Sequence, residues 1–266
     1  MKWEQVFSHT FQAIRKRLYE ESFTLYHPRS MVNSSLSIQS QFCQAILNMG
    51  FLTFEQLLDA VLRYRLGASK SGGVIFWQVD HEGRIHDGKI MYYHPDCHRN
   101  KERPPTWVSY LLAKRQGRTT DQNSTSHCLF GLHQLLGPRF SLREEGRPVA
   151  IVEAEKTAVI LSGHYPQYIW LATGGLGELQ VNKFRPLRGR KVVLFPDTDP
   201  EGKTFARWYD IAQQVMAEPF WEDSPPIRVS PVLELHATEE QKRGKIDLVD
   251  FVFKLYDLKH SLSCRA

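Results

Sequence analysis

Two separated apolar runs set what this chain can fold into: Val149-Ala150-Ile151-Val152-Glu153, and Lys191-Val192-Val193-Leu194-Phe195-Pro196-Asp197-Thr198-Asp199-Pro200-Glu201-Gly202. Each is a short, unbroken stretch of β-branched or other apolar residues that stops abruptly on carboxylate. A strand buried on both faces of a parallel sheet reads this way, because helices cover both of its sides. Acids at the ends of two such strands would stand at the carboxyl edge of the sheet, where open α/β folds place their chemistry. Glu153, Asp197 and Asp199 then form an oxygen-only set suited to Mg²⁺, which takes one or two protein carboxylates and keeps the rest of its shell for water and substrate phosphates. Gly202 lets the turn after Asp199 fold tightly into a helix.

In this order the residues resemble the Toprim domain, the metal-binding catalytic module of bacterial primases, topoisomerases and some nucleases. Glu153 matches the acid of its first strand, and Asp197, Asp199 and Gly202 match the Asp-x-Asp-x-x-Gly of its second. A third, helix-opening acidic motif is similar to Lys245-Ile246-Asp247-Leu248-Val249-Asp250-Phe251, so the resemblance spans residues 145–256. Asp197-Thr198-Asp199 is also similar to the nucleophile motif of haloacid-dehalogenase phosphatases, but position 201 is Glu where that family has Thr or Val. Gly202-Lys203-Thr204 looks like the tail of a P-loop, yet Asp197 stands where the first glycine of the phosphate cradle is required. The plain structural alternative is helix capping: Asp199 ahead of Pro200-Glu201 and Asp247 ahead of Leu248 are both acceptable helix starts.

At 266 residues the chain can hold one large domain or two small ones, and an apolar share of 42% with evenly spread charge reads as ordered and globular. No apolar run approaches a membrane span, and Lys2 is not followed by an apolar leader. The expected setting is therefore cytoplasmic, with no membrane partner. Cys43, Cys97, Cys128 and Cys264 are scattered without a Cys-x-x-Cys pair, which indicates neither a disulfide framework nor a zinc ribbon. His94, Cys97 and His98 with His127 and Cys128 hold enough ligand types for a zinc tetrahedron. A polar loop and a strand-start cysteine are the alternative, and without paired cysteines it is the reading adopted.

The net charge is only +5, but its placement is uneven. Residues 81–118 carry Arg84, Lys89, Arg99, Lys101, Arg103, Lys114, Arg115 and Arg118 against Glu82, Asp87, Asp96 and Glu102, interleaved with Tyr92, Tyr93, Trp107 and Tyr110. Residues 183–191 form a second basic run without an acid. Cations among aromatics suit phosphate contact with base stacking, so nucleic acid is the expected partner. The alternative for any such run is solvated surface.

Ahead of these motifs, residues 3–27 read as an amphipathic helix, 27–40 as a polar linker, and 41–49 and 53–66 as helices. The last opens on a Thr53–Gln56 capping box and is closed by Gly67. The period then changes. Residues 74–80, a turn at 81–83 and residues 84–93 read as a β-hairpin, and 115–127 as a polar loop. The organisation this suggests is a helical region at 1–70, a small mixed basic domain at 71–144, an α/β domain at 145–256 and a tail at 257–266. The expected fold class is α/β: a Toprim-like parallel sheet flanked by helices, preceded by a small mixed α+β domain and N-terminal helices.

The middle segment extends the resemblance to primase catalytic cores. Phe76-Trp77-Gln78-Val79-Asp80-His81-Glu82-Gly83-Arg84-Ile85 looks like their apolar strand, Asp-x-x-Gly turn and basic return strand. Leu129-Phe130-Gly131-Leu132 stands where their link into Toprim carries a Leu-aromatic-Gly-Leu piece, and Arg63-Tyr64-Arg65-Leu66-Gly67 is similar to the helix end before their strand. Residues 54–256 thus resemble a bacterial-type DNA primase core, of the divergent kind carried by mobile elements. The tracts from Asp87 to Tyr93 and from Glu153 to Ala158 are similar to an uncharacterised primase-like family of such elements. Three departures stand out: no zinc ribbon or helicase part is readable, Ala154 replaces the Gly that normally follows the first Glu, and Glu155-Lys156 brings an extra acid and base into that turn; a topoisomerase is set aside because the chain is too short for its cleavage domain.

The resemblance implies metal-assisted nucleotidyl transfer from nucleoside triphosphates on single-stranded DNA, alongside a helicase or other replication partner. Asp197, Asp199 and Glu153, with Asp247 and Asp250, would hold one or two Mg²⁺ or Mn²⁺. Glu153 is either a ligand or the base that takes the proton from the attacking hydroxyl. Arg84, Lys89, Arg99, Lys101, Arg103 and Lys156 would bind template or triphosphate, Lys156 from a helix N-terminus that itself favours anions. A Toprim nuclease, and a nucleic-acid-binding module whose catalysis has lapsed, are the alternatives these residues leave open.

Overall fold

A computed structural model describes residues 27–118, 127–135, 146–175 and 177–253. The helix read over residues 3–27 lies, except for His27, outside the described residues, as do 119–126 of the polar loop and the whole tail.

The described chain forms two four-stranded sheets. The first is antiparallel, with β1 (Gly67–Ala68), β2 (Val74–Val79), β3 (Ile85–Met91) and β4 (Thr106–Trp107) paired in chain order. The second is parallel. Its strands β5 (Val149–Val152), β6 (Ile169–Ala172), β7 (Val192–Leu194) and β8 (Arg228–Val229) lie in the order β6-β5-β7-β8. Helices precede and flank them: α1 (Arg29–Ser35), α2 (Gln41–Asn48), α3 (Phe54–Tyr64), α4 (Val108–Arg115), α5 (Glu155–His164), α6 (Lys203–Ala217), and the short α7 (Val232–His236) and α8 (Glu239–Arg243). The expected α/β class, a parallel sheet flanked by helices behind a smaller mixed part, is the observed one.

Local chemistry explains most boundaries. The β2–β3 turn closes because the Asp80 carboxylate accepts the N–H groups of Glu82 and Arg84, each at 2.9 Å, while Gly83 takes the left-handed conformation with φ of 81°. Thr53 and Gln56 form the reciprocal capping box of α3. Two expectations need correction. Helix α1 occupies the stretch read as a linker: Pro28 stands at its N-cap, and Val32 anchors it in the core with Met31 packed beside it, an adjacent apolar pair that shows no helical periodicity. Helix α3 ends at Tyr64 and is closed by Arg65, not Gly67. Arg65 itself takes the left-handed position (φ 54°), and Gly67 is already in β1, where a Cβ would stand 2.6 Å from Ser35 Oγ.

The parallel sheet is apolar on both faces because each is covered. Ala150, Val152, Trp170 and Ala172 face a core shared with α2, α3 and α5, whereas Val149, Ile151, Ile169, Leu171, Val192 and Leu194 face Trp208, Ala212 and Val215 of α6. The two sheets meet through aromatic side chains. Phe130 lies stacked on Tyr64 at 5.1 Å and edge-on to Phe76 at 5.4 Å, and its backbone exchanges hydrogen bonds of 2.9 and 3.1 Å with Ala172. The Tyr64 hydroxyl donates to the Trp170 carbonyl at 2.9 Å, which fixes α3 against β6. This contact gives the Leu129-Phe130-Gly131-Leu132 segment its packing role.

Gly88 on β3 faces Trp77, fully buried on β2, across the antiparallel ladder; a Cβ there would come within 2.9 Å of the indole ring and of Ile75 Cγ2. Gly88→Ala should therefore destabilise the protein by about 1–3 kcal/mol through overpacking. Urea unfolding should show a lower midpoint at an unchanged m-value.

Candidate functional site

The chain leaves β5 to form β6 on one side and returns to form β7 on the other. Strand order thus reverses between β5 and β7, and a crevice opens at their carboxyl ends. Glu153 directly follows β5 and Asp197 lies just past β7, so both stand at this crevice. They line two adjoining cavities of about 680 and 540 Å³, which meet at Glu153, Asp197 and Lys245. The Thr198 N–H donates to the Ile246 carbonyl at 3.3 Å, tying the end of β7 to the loop that carries Asp247. In this way the third acidic motif arrives beside the second.

The acids differ in what holds them. Among the described residues neither the Glu153 nor the Asp197 carboxylate accepts a hydrogen bond, although the Glu153 backbone carbonyl accepts the Gly174 N–H at 2.9 Å. Burial, then the charges of Asp247 and Glu153, push the Asp197 carboxyl well above its usual value; burial also raises Glu153, where Lys89 opposes the rise and Glu155 adds to it. Asp199 is turned onto the start of α6. Its oxygens accept the N–H groups of Glu201 (3.0 Å), Lys203 (3.2 Å) and Thr204 (2.7 Å), and these bonds outweigh burial and bring its pKa down to about 2. Gly202 enters that helix with φ of 65°, as the turn requires. Asp247 also caps a helix, accepting the Asp250 N–H at 2.9 Å ahead of helical residues 248–253. Burial would raise its carboxyl, but the Lys156 ammonium at 3.1 Å and the Thr157 hydroxyl at 2.8 Å hold it low. Capping, the plain alternative, is thus true of Asp199 and Asp247, and for Asp247 it coexists with a place at the cleft.

The cations divide likewise. Lys89 reaches from β3 into the larger cavity, but its ammonium is held by Glu155 (3.1 and 3.3 Å) and by the Gly174 carbonyl (2.6 Å). Lys156 is paired with Asp247 and lies 3.9 Å from Asp250. Arg99 and Lys101 line the same cavity with exposed side chains, available to an anionic ligand. Arg84 and Arg103 lie outside both cavity walls. Arg84 pairs with Asp80 and Glu82 at the hairpin turn, and Arg103 sits 3.3 Å over the Tyr92 ring. Sequence reading noted Glu155 only as an extra acid in the turn after Glu153, and gave neither it, Lys245 nor the Gly174-Gly175 turn after β6 a place at the site. An apolar strand ending in Thr173-Gly174-Gly175 was the available signal for the turn.

Glu153 and Asp197 suit a hard divalent cation: both offer carboxylate oxygen without a hydrogen-bond partner, and Mg²⁺ needs only one or two such ligands. The expectation that Asp199 joins them on a common ion is not met, since its oxygens serve α6, and among the described residues no three His, Cys, Asp or Glu side chains converge as a metal-holding group. The same finding covers the zinc candidates. Cys97 is buried with its thiol pushed up to about 12, Cys128 is raised by burial to the same value, and His127 stacks on Trp107 at 4.1 Å. His94 and His98 flank a tight turn closed by the Cys97 N–H on the His94 carbonyl. No helix among the described residues is long and apolar enough to cross a membrane.

Residues 40–198 match the model of a family described as a domain of unknown function (DUF6371). No curated protein matches the sequence. Among solved structures, the chain is similar to a DnaG primase catalytic domain bound to ssDNA, with a TM-score of 0.50 and 14% identity over 85% of this chain and 80% of that one. An Aquifex aeolicus primase comprising zinc-binding and RNA polymerase domains also matches, with a TM-score of 0.38 and 16% identity over 79% of this chain and 51% of that one. The first likeness is one of fold: the chain has the mixed α/β fold of a primase catalytic domain.

Two outcomes follow from the electrostatics. The raised Asp197 carboxyl binds a proton more readily folded than unfolded, so its contribution to stability is full below its unfolded pKa, near 3.8, and is lost as pH rises through the folded value. Asp197→Asn should accordingly be more stable than the wild type at pH 7, with the difference vanishing toward pH 4, as read by thermal melts across that range. Lys89→Met should cost about 3–5 kcal/mol because it strands Glu155 as a buried charge, and adding Glu155→Gln should recover most of the loss. A double-mutant cycle in urea measures both.

Proposed function

This chain belongs to the DUF6371 family, and on that premise we propose that it is a primase-like Toprim protein that joins nucleotides on a single-stranded nucleic-acid template. The observation that carries the reading is the placement of Glu153 and Asp197 at the switch point of a primase-type sheet, facing cations delivered by the antiparallel sheet. The solved domain of like fold was bound to ssDNA, and a cleft bordered by Arg99, Lys101 and Lys245 has the charge for the same class of ligand.

In this reading Glu153 and Asp197 hold a Mg²⁺ or Mn²⁺ ion, which when bound neutralises charge on the nucleotide phosphates. Glu153, raised by burial, is suited to accept the proton of the attacking hydroxyl if it is not a ligand. Arg99 and Lys101 orient template or triphosphate by phosphate contact. Lys89 fixes the turn after β6 and the start of α5, so that the acids keep their places. A second reading, nucleic-acid binding without transfer, is favoured by one observation: Lys156 and Lys89 already neutralise part of the acidic cluster.

A priming assay with labelled nucleoside triphosphates, single-stranded DNA and Mg²⁺ or Mn²⁺ separates the readings. Wild-type protein should form labelled product, and Asp197→Ala should lower the rate by about 10²-fold or more while remaining folded and bound to DNA. If the wild type neither joins nor cleaves nucleotides yet binds DNA, the binding-module reading replaces this one. Affinity for single-stranded DNA should fall steeply with salt, and Arg99→Ala and Lys101→Ala should each reduce the salt slope by about 0.7, one phosphate contact's worth. A slope unchanged in both variants would remove the cleft from the DNA path.

A further inference from the structure

Resting on the reading above, we propose that Lys156 is a built-in counter-cation: its ammonium takes the Asp247–Asp250 half of the acidic cluster, so that the site accepts one divalent ion, at Glu153 and Asp197, in place of two. Every Asp247 oxygen is engaged. Oδ1 accepts the Asp250 N–H at 2.9 Å, and Oδ2 accepts both the Thr157 hydroxyl at 2.8 Å and the Lys156 ammonium at 3.1 Å. Asp250 Oδ1 lies 3.9 Å from the same ammonium, and its Oδ2 is 3.5 Å from the Asp247 N–H. The Lys156 side chain is only 13% exposed. It extends from the first turn of α5, where Glu155 and Thr157 on either side are buried, so the backbone holds it against the cluster.

A second hard cation at Asp247 would have to displace this ammonium or bind beside a fixed positive charge, with Oδ2 already taken by two donors and Oδ1 by one. Leaving is equally unfavourable for the lysine, since two poorly solvated carboxylates would then face each other uncompensated. The Glu153 and Asp197 carboxylates differ in both respects, lining both cavities and accepting no hydrogen bond among the described residues. The division of labour therefore lies in this chain's own Glu153-Ala154-Glu155-Lys156 turn, which puts an acid and a base side by side on one helix start.

Counting bound Mn²⁺ by the loss of the free-ion EPR signal tests this directly on the full chain. Wild type should bind one Mn²⁺, Lys156→Gln two, and Lys156→Arg, which restores the charge, one. Two ions on the wild type, or one on a folded Lys156→Gln variant, would overturn the counter-cation. Should Lys156→Gln not fold alone, saturating Mn²⁺ must restore its cooperative melt, and failure to do so counts against the proposal equally. No Mn²⁺ on the wild type at all would sink the metal-dependent reading itself, an outcome distinct from finding two.

Discussion

The buried ion pair between Lys89 and Glu155 is the contact around which the two sheets are arranged. Lys89 is on the antiparallel sheet, Glu155 begins the helix after β5, and the third acceptor, the Gly174 carbonyl, follows β6. Removing a lysine ammonium and a carboxylate from water costs several kcal/mol each, and only well-placed partners offset that cost. Here the ammonium has three acceptor oxygens within 3.3 Å. Gly174 makes the geometry attainable: its φ of 86° suits glycine, and a Cβ would stand 3.1 Å from Glu155 Oε1. Glu153 lies two residues before Glu155, so the pair also sets where the first site acid stands.

Around that contact the acids at one sheet edge reach different states through their neighbours alone. Asp199 and Asp247 both meet helix N-termini, where free N–H groups and the helix dipole favour the charged form. Glu153 and Asp197 are desolvated by burial without such donors, and neighbouring carboxylates add to that, so they hold protons more tightly. The edge is therefore half structural and half available for chemistry. A functional site on helix starts commonly mixes the two, because N-capping and anion or cation handling draw on the same residue types.

Membership of the DUF6371 family names no activity, and the likeness to a primase catalytic domain at 14% identity is a likeness of backbone. Function must be argued from the site, since one fold supports many chemistries. What marks this site is the number of lysines inside its acidic cluster. Lys89 and Lys156 both neutralise carboxylates at the cleft, which leaves Glu153 and Asp197 as the pair open to a cation and Arg99 and Lys101 as the exposed bases beside them.

By itself the sequence determined the elements whose causes are local. The strands ending at Val152 and Leu194 were legible from unbroken apolar runs, the start of α3 from Thr53 and Gln56, the hairpin from Asp80 to Gly83, and the tight entry to α6 from Gly202. Helix α1 was not, because it is anchored by the adjacent pair Met31 and Val32 and not by any repeat. Only the tertiary structure decided which charges are spoken for. That Asp199 belongs to a helix cap, that Arg84 belongs to a turn, and that Lys89 and Lys156 are bound to acids from distant or unpredictable positions depends on distances between elements, Lys89 and Glu155 being brought together across 66 positions of chain. Electrostatic partnership falls off within a few ångströms in space and carries no periodic trace along the chain. The strand ends could therefore be read from the sequence, whereas the state of each acid and base upon them required the fold.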